Sequence, residues 1–194
     1  MGRSFSFVGF AGSPSRPSRT RGLVEAVTHA AAERIGATST IHDLTTIHPS
    51  LGSTLDPAKA PPDLAALIEA ITQADALVVG SPVYKGTYTG LFKHLFDLID
   101  PQALKDKPVV LTATGGSERH ALVLDHGLRP LFAFFSADIL ATALYGTDAD
   151  FTDYRPSSAS LLGRIDRATL ELSWRLHGGR MRGSPGSDTL AQSA

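Results

Sequence analysis

The run SFSFVGFAGSPSRPSRT, residues 4–20, decides the fold. Ser4 to Ala11 is a short apolar, aromatic-rich segment of the kind buried as a strand, and Gly12-Ser13-Pro14 ends it in a sharp loop. From Arg19 to Arg34, Leu23, Val27, Ala30 and Ala31 recur at helical spacing. Strand, loop, helix is the opening unit of an α/β domain.

The same alternation continues along the chain. Thr38 to Leu44 reads as a second strand, and the Pro-, Ser- and Gly-bearing stretch from Thr45 to Pro62 as a long surface loop. Asp63 to Gln73 carries Leu64, Leu67, Ile68 and Ile71 on one helical face, and Ala76 to Gly80 (ALVVG) is a third, buried strand. A helix follows over about Thr89 to Ile99, then a fourth strand at Pro108 to Ala113. Arg119 to Phe135 predicts an apolar helix interrupted by Gly127 and Pro130, with more apolar surface than one sheet contact requires. A fifth strand at Ala137 to Tyr145, a loop at Gly146 to Ser157 and an amphipathic helix at Ser158 to His177 complete the pattern. Five apolar strands alternating with helices predict an open α/β sandwich, a parallel sheet with helices on both faces, which we take in the order 2-1-3-4-5. We expect one domain over residues 1–177 and a flexible Gly- and Ser-rich tail over 178–194.

Composition narrows the function. The chain has no cysteine, which excludes disulfides, thiolate nucleophiles and Cys-ligated metal or iron-sulfur sites, so redox chemistry would need an organic cofactor or a non-sulfur metal site. Lys+Arg 18 against Asp+Glu 19 gives a net charge of -1, without the basic footprint of a nucleic-acid binder. No apolar run approaches the ~20 residues of a membrane helix and no signal peptide is evident, so we expect a cytoplasmic protein working on small molecules. His29, His42, His48, His94 and His177 lack metal-binding spacing, and no metal is expected.

In such a sheet, ligands bind beyond the carboxyl ends of the strands where strand order reverses, here between strands one and three. Three loops leave the strands at that point. GSPSRPSRT (residues 12–20) combines hydroxyls, Arg16 and Arg19 with a helix N-terminus, a set suited to a phosphate. SPVYKGTYTG (81–90) offers a proline, a valine and a tyrosine as a wall for a flat ring, with Lys85 at its polar edge. ATGGSERH (113–120) uses two glycines to let backbone approach a ligand closely. One phosphate and one broad ring describe FMN.

These loops, with GLFKHLFDLID (90–100) and ALVLDHGLRP (121–130), resemble the NAD(P)H-dependent FMN reductases of the flavodoxin-like superfold, in particular the reductase components of alkanesulfonate and methanesulfonate monooxygenase systems. The likeness covers about residues 5 to 177. It implies a flavodoxin-like three-layer sandwich in which Ser13, Ser18, Arg19 and Thr20 hold the phosphate, Pro82, Val83, Tyr84 and Lys85 line the isoalloxazine, and Thr114, Gly115, Gly116, Ser117 and His120 meet its polar rim. It also implies NAD(P)H as the hydride source, a flavin-dependent monooxygenase as recipient, and a homodimer or homotetramer with the site near a subunit interface. Flavin-releasing members often carry a π-type turn in the fourth helix; Asp125-His126-Gly127 is the matching region, with His126 as the inserted or interface residue. Hydride transfer by ring stacking requires no protein acid, base or nucleophile, so no catalytic side chain is expected. Three other readings remain open: a reductase of the same fold that retains FMN and reduces quinones or azo dyes, a flavodoxin-type electron carrier, and a binding module without flavin.

Overall fold

The first apolar segment is strand β1 (Ser6–Ala11), flanked by parallel strands β2 (Thr38–Asp43) and β3 (Ala76–Pro82). The computed structural model describes residues 4–182 and continues the sheet through β4 (Pro108–Thr114) to β5 (Asp138–Ile139), giving the expected order β2-β1-β3-β4-β5. β1, β3 and β4 are buried along almost their whole length, which is why they read as continuous apolar runs. Helices α1 (Arg19–Ile35) and α6 (Ala159–Arg182) cover one face, setting Leu23, Val27, Leu161, Ile165 and Leu172 over Phe7, Val78 and Val110. The other face lies under α2 (Leu44–Ser53), α3 (Pro62–Gln73), α4 (Gly90–Asp97) and α5 (Arg129–Phe134). Its centre is a row of rings: Phe10 lies 5.9 Å from Phe92, Phe92 4.9 Å from Phe96, and Phe96 4.8 Å from Phe132.

Five stretches differ from the sequence expectation. The loop expected over 45–62 contains α2, although Thr45, Thr46, Pro49 and Gly52 are poor helix formers. Tertiary contacts hold it, because Leu44, Ile47 and Leu51 are buried and the Asp43 carboxylate caps its first turn. The fifth strand is broken into β5 and β6 (Leu144–Gly146), both paired with β4. Between them the Glu171 carboxylate accepts from the backbone N–H groups of Ala141 (2.7 Å) and Thr142 (2.9 Å), taking donors a strand would have given to a neighbour. The expected helix over 119–135 is a 3-10 turn at Glu118–His120, a π-helix at Leu124–Leu128 and then α5. In the π segment, Arg129 N–H donates to Leu124 O, five residues back, just before Pro130 offers no donor at all. The loop expected at 146–157 holds a small hairpin, β7 (Phe151–Thr152) and β8 (Arg155–Pro156). α6 runs to Arg182, past the expected end of the domain at 177; residues 183–194 of the expected tail lie outside the described residues.

Candidate active site

The carboxyl ends of β1, β3 and β4 meet at one edge of the sheet. Leaving β1, the chain crosses Gly12 to Ser18 and enters α1, where the Ser18 hydroxyl oxygen accepts from Arg21 N–H at 3.2 Å. The N–H groups of Arg19 and Thr20 in that first turn have no carbonyl within the helix to bond, and no acidic side chain occupies the turn. The Ser18 hydroxyl keeps its own proton to donate. This end of α1 is thus a set of donors at the positive end of a 17-residue helix dipole.

The loop is held from below. Asp43, buried at the end of β2, accepts from Arg16 Nη2 at 2.6 Å, from Arg16 Nε at 2.9 Å and from Arg21 Nη1 at 2.6 Å. Its other oxygen accepts from Thr45 N–H and hydroxyl. Burial pushes this carboxyl upward, but the hydrogen bonds from Thr45, Arg16 and Arg21 outweigh it and hold it below the ordinary carboxylate range. Arg16 is therefore spent on pinning the loop, and Arg19 is the guanidinium left at the cavity.

Two further bonds join the three loops. The Thr20 and Thr114 hydroxyls lie 2.6 Å apart, tying the first turn of α1 to the end of β4. Thr89 Oγ1 donates to Gly12 O at 2.9 Å, linking the start of α4 to the first loop. The Tyr145 hydroxyl donates to Ser117 O at 2.7 Å and props the third loop from β6. Gly115 permits that approach, since a Cβ there would come within 2.2 Å of the Tyr145 oxygen. In the second loop, Tyr84 and Thr87 exchange backbone hydrogen bonds across a tight turn whose central residues, Lys85 (φ 52) and Gly86 (φ 91), are left-handed.

Between these loops lies an open cavity of about 240 Å³. Of the residues singled out in the sequence, Ser13, Ser18, Arg19, Thr20, Pro82, Val83, Tyr84, Thr114, Gly115 and Gly116 line it. Lys85, Ser117 and His120 do not; His120 lines a neighbouring cavity of about 350 Å³ with Gly86, Thr87 and His126. The backbone N–H groups of Val83 and Tyr84 are taken by Thr114 O and Thr87 O, so the second loop meets the cavity with its side chains. His126, within the π-helix, also edges an apolar groove of about 550 Å³ between α4 and α5. The chemistry of the first cavity fits FMN: hydroxyls, free amides and a guanidinium at one end suit a phosphate, and Pro82, Val83 and the half-exposed Tyr84 give an apolar wall beside it. Among the described residues, no group of His, Asp or Glu is placed to hold a metal ion, and no helix is long and apolar enough to cross a membrane.

Ser15 and Pro17 of the first loop also line the first cavity, and two lining residues come from outside the three loops, Asp148 and Tyr154. Both come from the segment after β6, where the hairpin lies on the first turn of α1. Gly22 makes room, because a Cβ there would come within 2.0 Å of Tyr154 O. The signal for such a hairpin is an Asn-Gly or Asp-Gly pair, whereas here Asp153 (φ 47) and Tyr154 (φ 64) adopt the left-handed turn conformation.

With this geometry in place, comparison with known proteins is decisive. The family model described as NADPH-dependent FMN reductase matches residues 5–150. This chain belongs to that family. It is a flavin oxidoreductase that works with FMN and a reduced nicotinamide nucleotide. It is 49% identical over 180 residues to the FMN reductase (NADPH) of Pseudomonas aeruginosa, covering 93% of this chain and 96% of the relative. It is likewise 49% identical over 165 residues to the NADH-dependent FMN reductase SfnF of Pseudomonas fluorescens, covering 85% and 88%. Among solved structures, an apo NADH:FMN oxidoreductase, EmoB, superposes with a TM-score of 0.79 at 28% identity over 90% of each chain. An oxidoreductase from Corynebacterium diphtheriae gives 0.77 at 34% identity over 91% of this chain and 99% of that one.

Proposed function

We propose that this reductase binds FMN in the three-loop cavity, reduces it with NADH or NADPH, and passes reduced FMN to a separate flavin-dependent monooxygenase of sulfonate desulfonation. The observation that carries the reading is the convergence on one cavity of a donor-rich helix N-terminus and an apolar wall. When bound, FMN supplies a ring that accepts a hydride from a stacked nicotinamide. The chain's residues bind and orient. Ser18, Arg19 and the first-turn amides of α1 take the phosphate, Thr20 and Thr114 hold the floor, and Pro82, Val83 and Tyr84 bound the ring. Gly115 and Gly116 let the β4 loop approach the ring edge, and His120 borders the neighbouring cavity. Relatives named for NADH and for NADPH are equally similar, so both nucleotides are tested.

An exchangeable flavin is favoured over a retained one by the openness of the cavity and by the π-helix bordering the neighbouring one, a feature that accompanies flavin release in the family this chain resembles. The exposed Leu122 and Phe134, with the groove beside His126, support assembly into a homodimer or homotetramer. Dependence on nicotinamide nucleotides supports a cytoplasmic site of action. Steady-state oxidation of NADH and NADPH with added FMN tests the function. Turnover that saturates with free FMN is expected. No turnover with either nucleotide would overturn the assignment, and a permanently yellow protein indifferent to added FMN would favour the quinone or azo reductase.

A further inference from the structure

Arg19, the guanidinium at the cavity, is already engaged. Its Nη1 lies 3.1 Å from Asp148 Oδ1, and its guanidinium carbon lies 5.6 Å from the centre of the Tyr154 ring. Both partners come from the segment between β6 and α6, and both line the cavity with Ser18 and Thr20. The position of Asp148 is built in. Asp148–Asp150 forms one 3-10 turn, in which the Asp150 carboxylate accepts from Thr147 N–H (2.8 Å), Thr147 Oγ1 (2.9 Å) and Ser158 Oγ (2.6 Å). The hairpin that follows is seated on α1 at Gly22. A carboxylate thus stands where the most negative part of a flavin nucleotide would come to rest, on the cation that would receive it.

The geometry points to Asp148 as a resident competitor of the FMN phosphate. It holds Arg19 until phosphate displaces it, and its charge then repels the bound dianion, so it weakens FMN binding and speeds flavin exchange. This rests on the reading that the FMN phosphate lies at the N-terminus of α1. A reductase that surrenders its flavin needs such weakening, and Asp148 supplies it through the phosphate alone, without touching the ring or the hydride step.

Asp148→Asn removes the charge and keeps the shape. The probes are FMN and riboflavin, which share the ring and differ by the phosphate, titrated by flavin fluorescence into wild-type and D148N protein, with FMN dissociation followed by stopped flow. Both members of the Arg19–Asp148 pair are partly exposed, so a change of about five-fold is expected: D148N binds FMN more tightly and releases it more slowly, while riboflavin affinity is unchanged. Equal or weaker FMN binding by D148N, with wild type still preferring FMN to riboflavin, overturns the role of Asp148 and leaves the phosphate site standing. Equal affinity of wild type for FMN and riboflavin overturns the phosphate site and this inference together. A thermal melt of D148N close to wild type shows that the comparison is made between folded proteins.

Discussion

Replacing Asp43 by alanine removes one carboxylate that caps α2, neutralises Arg21 and pins Arg16 of the phosphate loop. The lost cap costs about 1 kcal/mol. Arg21 is mostly buried, at 24% exposure, and its charge-assisted bond contributes about 1.5 kcal/mol, whereas Arg16 is half in water and its bond adds about 0.5 kcal/mol. The total is about 3 kcal/mol, which lowers Tm by about 6–12 °C in a chain of this size. The pH dependence follows from the sign of the shift. Because the folded-state pKa of Asp43 lies below its unfolded value, its contribution is fully present above the unfolded value of about 4 and is lost as pH falls through the folded one. Urea unfolding of wild type and D43A at about pH 7, 5 and 3.5 should therefore show equal stability gaps at the first two and a smaller gap at the third. A Tm change under about 2 °C at neutral pH, or a gap that widens in acid, would refute the reasoning.

Gly22→Ala places a methyl against Tyr154 O, so the helix-propensity gain of about 1 kcal/mol is overturned by overpacking and the protein loses about 1–3 kcal/mol in urea unfolding; a more stable G22A would show that the hairpin does not rest on α1. Glu171→Ala removes the acceptor of the Ala141 and Thr142 N–H groups, of which only Thr142 is buried, and costs about 1–2 kcal/mol, with faster hydrogen exchange at those two amides as the local readout; unchanged exchange would mean that Glu171 does not break the fifth strand. Tyr145→Phe removes the bond to Ser117 O, so stability falls by about 1 kcal/mol while FMN affinity falls further as the third loop loosens. Wild-type FMN affinity in Y145F would show that Ser117 and its neighbours do not depend on that prop.

The parallel sheet was legible because β1, β3 and β4 are buried on both faces, and residues such as Phe7, Val78 and Val110 leave an unbroken apolar record, whereas strand order leaves no such local trace. The first loop was legible as a phosphate candidate because Ser18, Arg19 and Thr20 fall at a helix start. α2 was not, since its local propensity opposes a helix and the forces that make it, the Asp43 cap and the burial of Ile47 and Leu51, come from the tertiary structure. The break in the fifth strand depends on Glu171, 30 residues beyond Ala141, a distance over which no local pattern speaks. Asp148 and Tyr154 reach the cavity through a hairpin whose turn carries no glycine, and Arg16 leaves it through a partner 27 residues away. The π-helix was implied by the family resemblance at Asp125-His126-Gly127, whereas Gly127 and Pro130 by themselves foretold only an interrupted helix.

The proposed seat of FMN is the cleft formed by the three strand-end loops. A crystal structure of the protein grown with FMN tests it most directly. The phosphate is expected within hydrogen-bonding distance of Ser18, Arg19 and the first-turn amides of α1, with the ring against Pro82 to Tyr84. A flavin seated instead in the apolar groove between α4 and α5, away from Ser18 and Thr20, would contradict it.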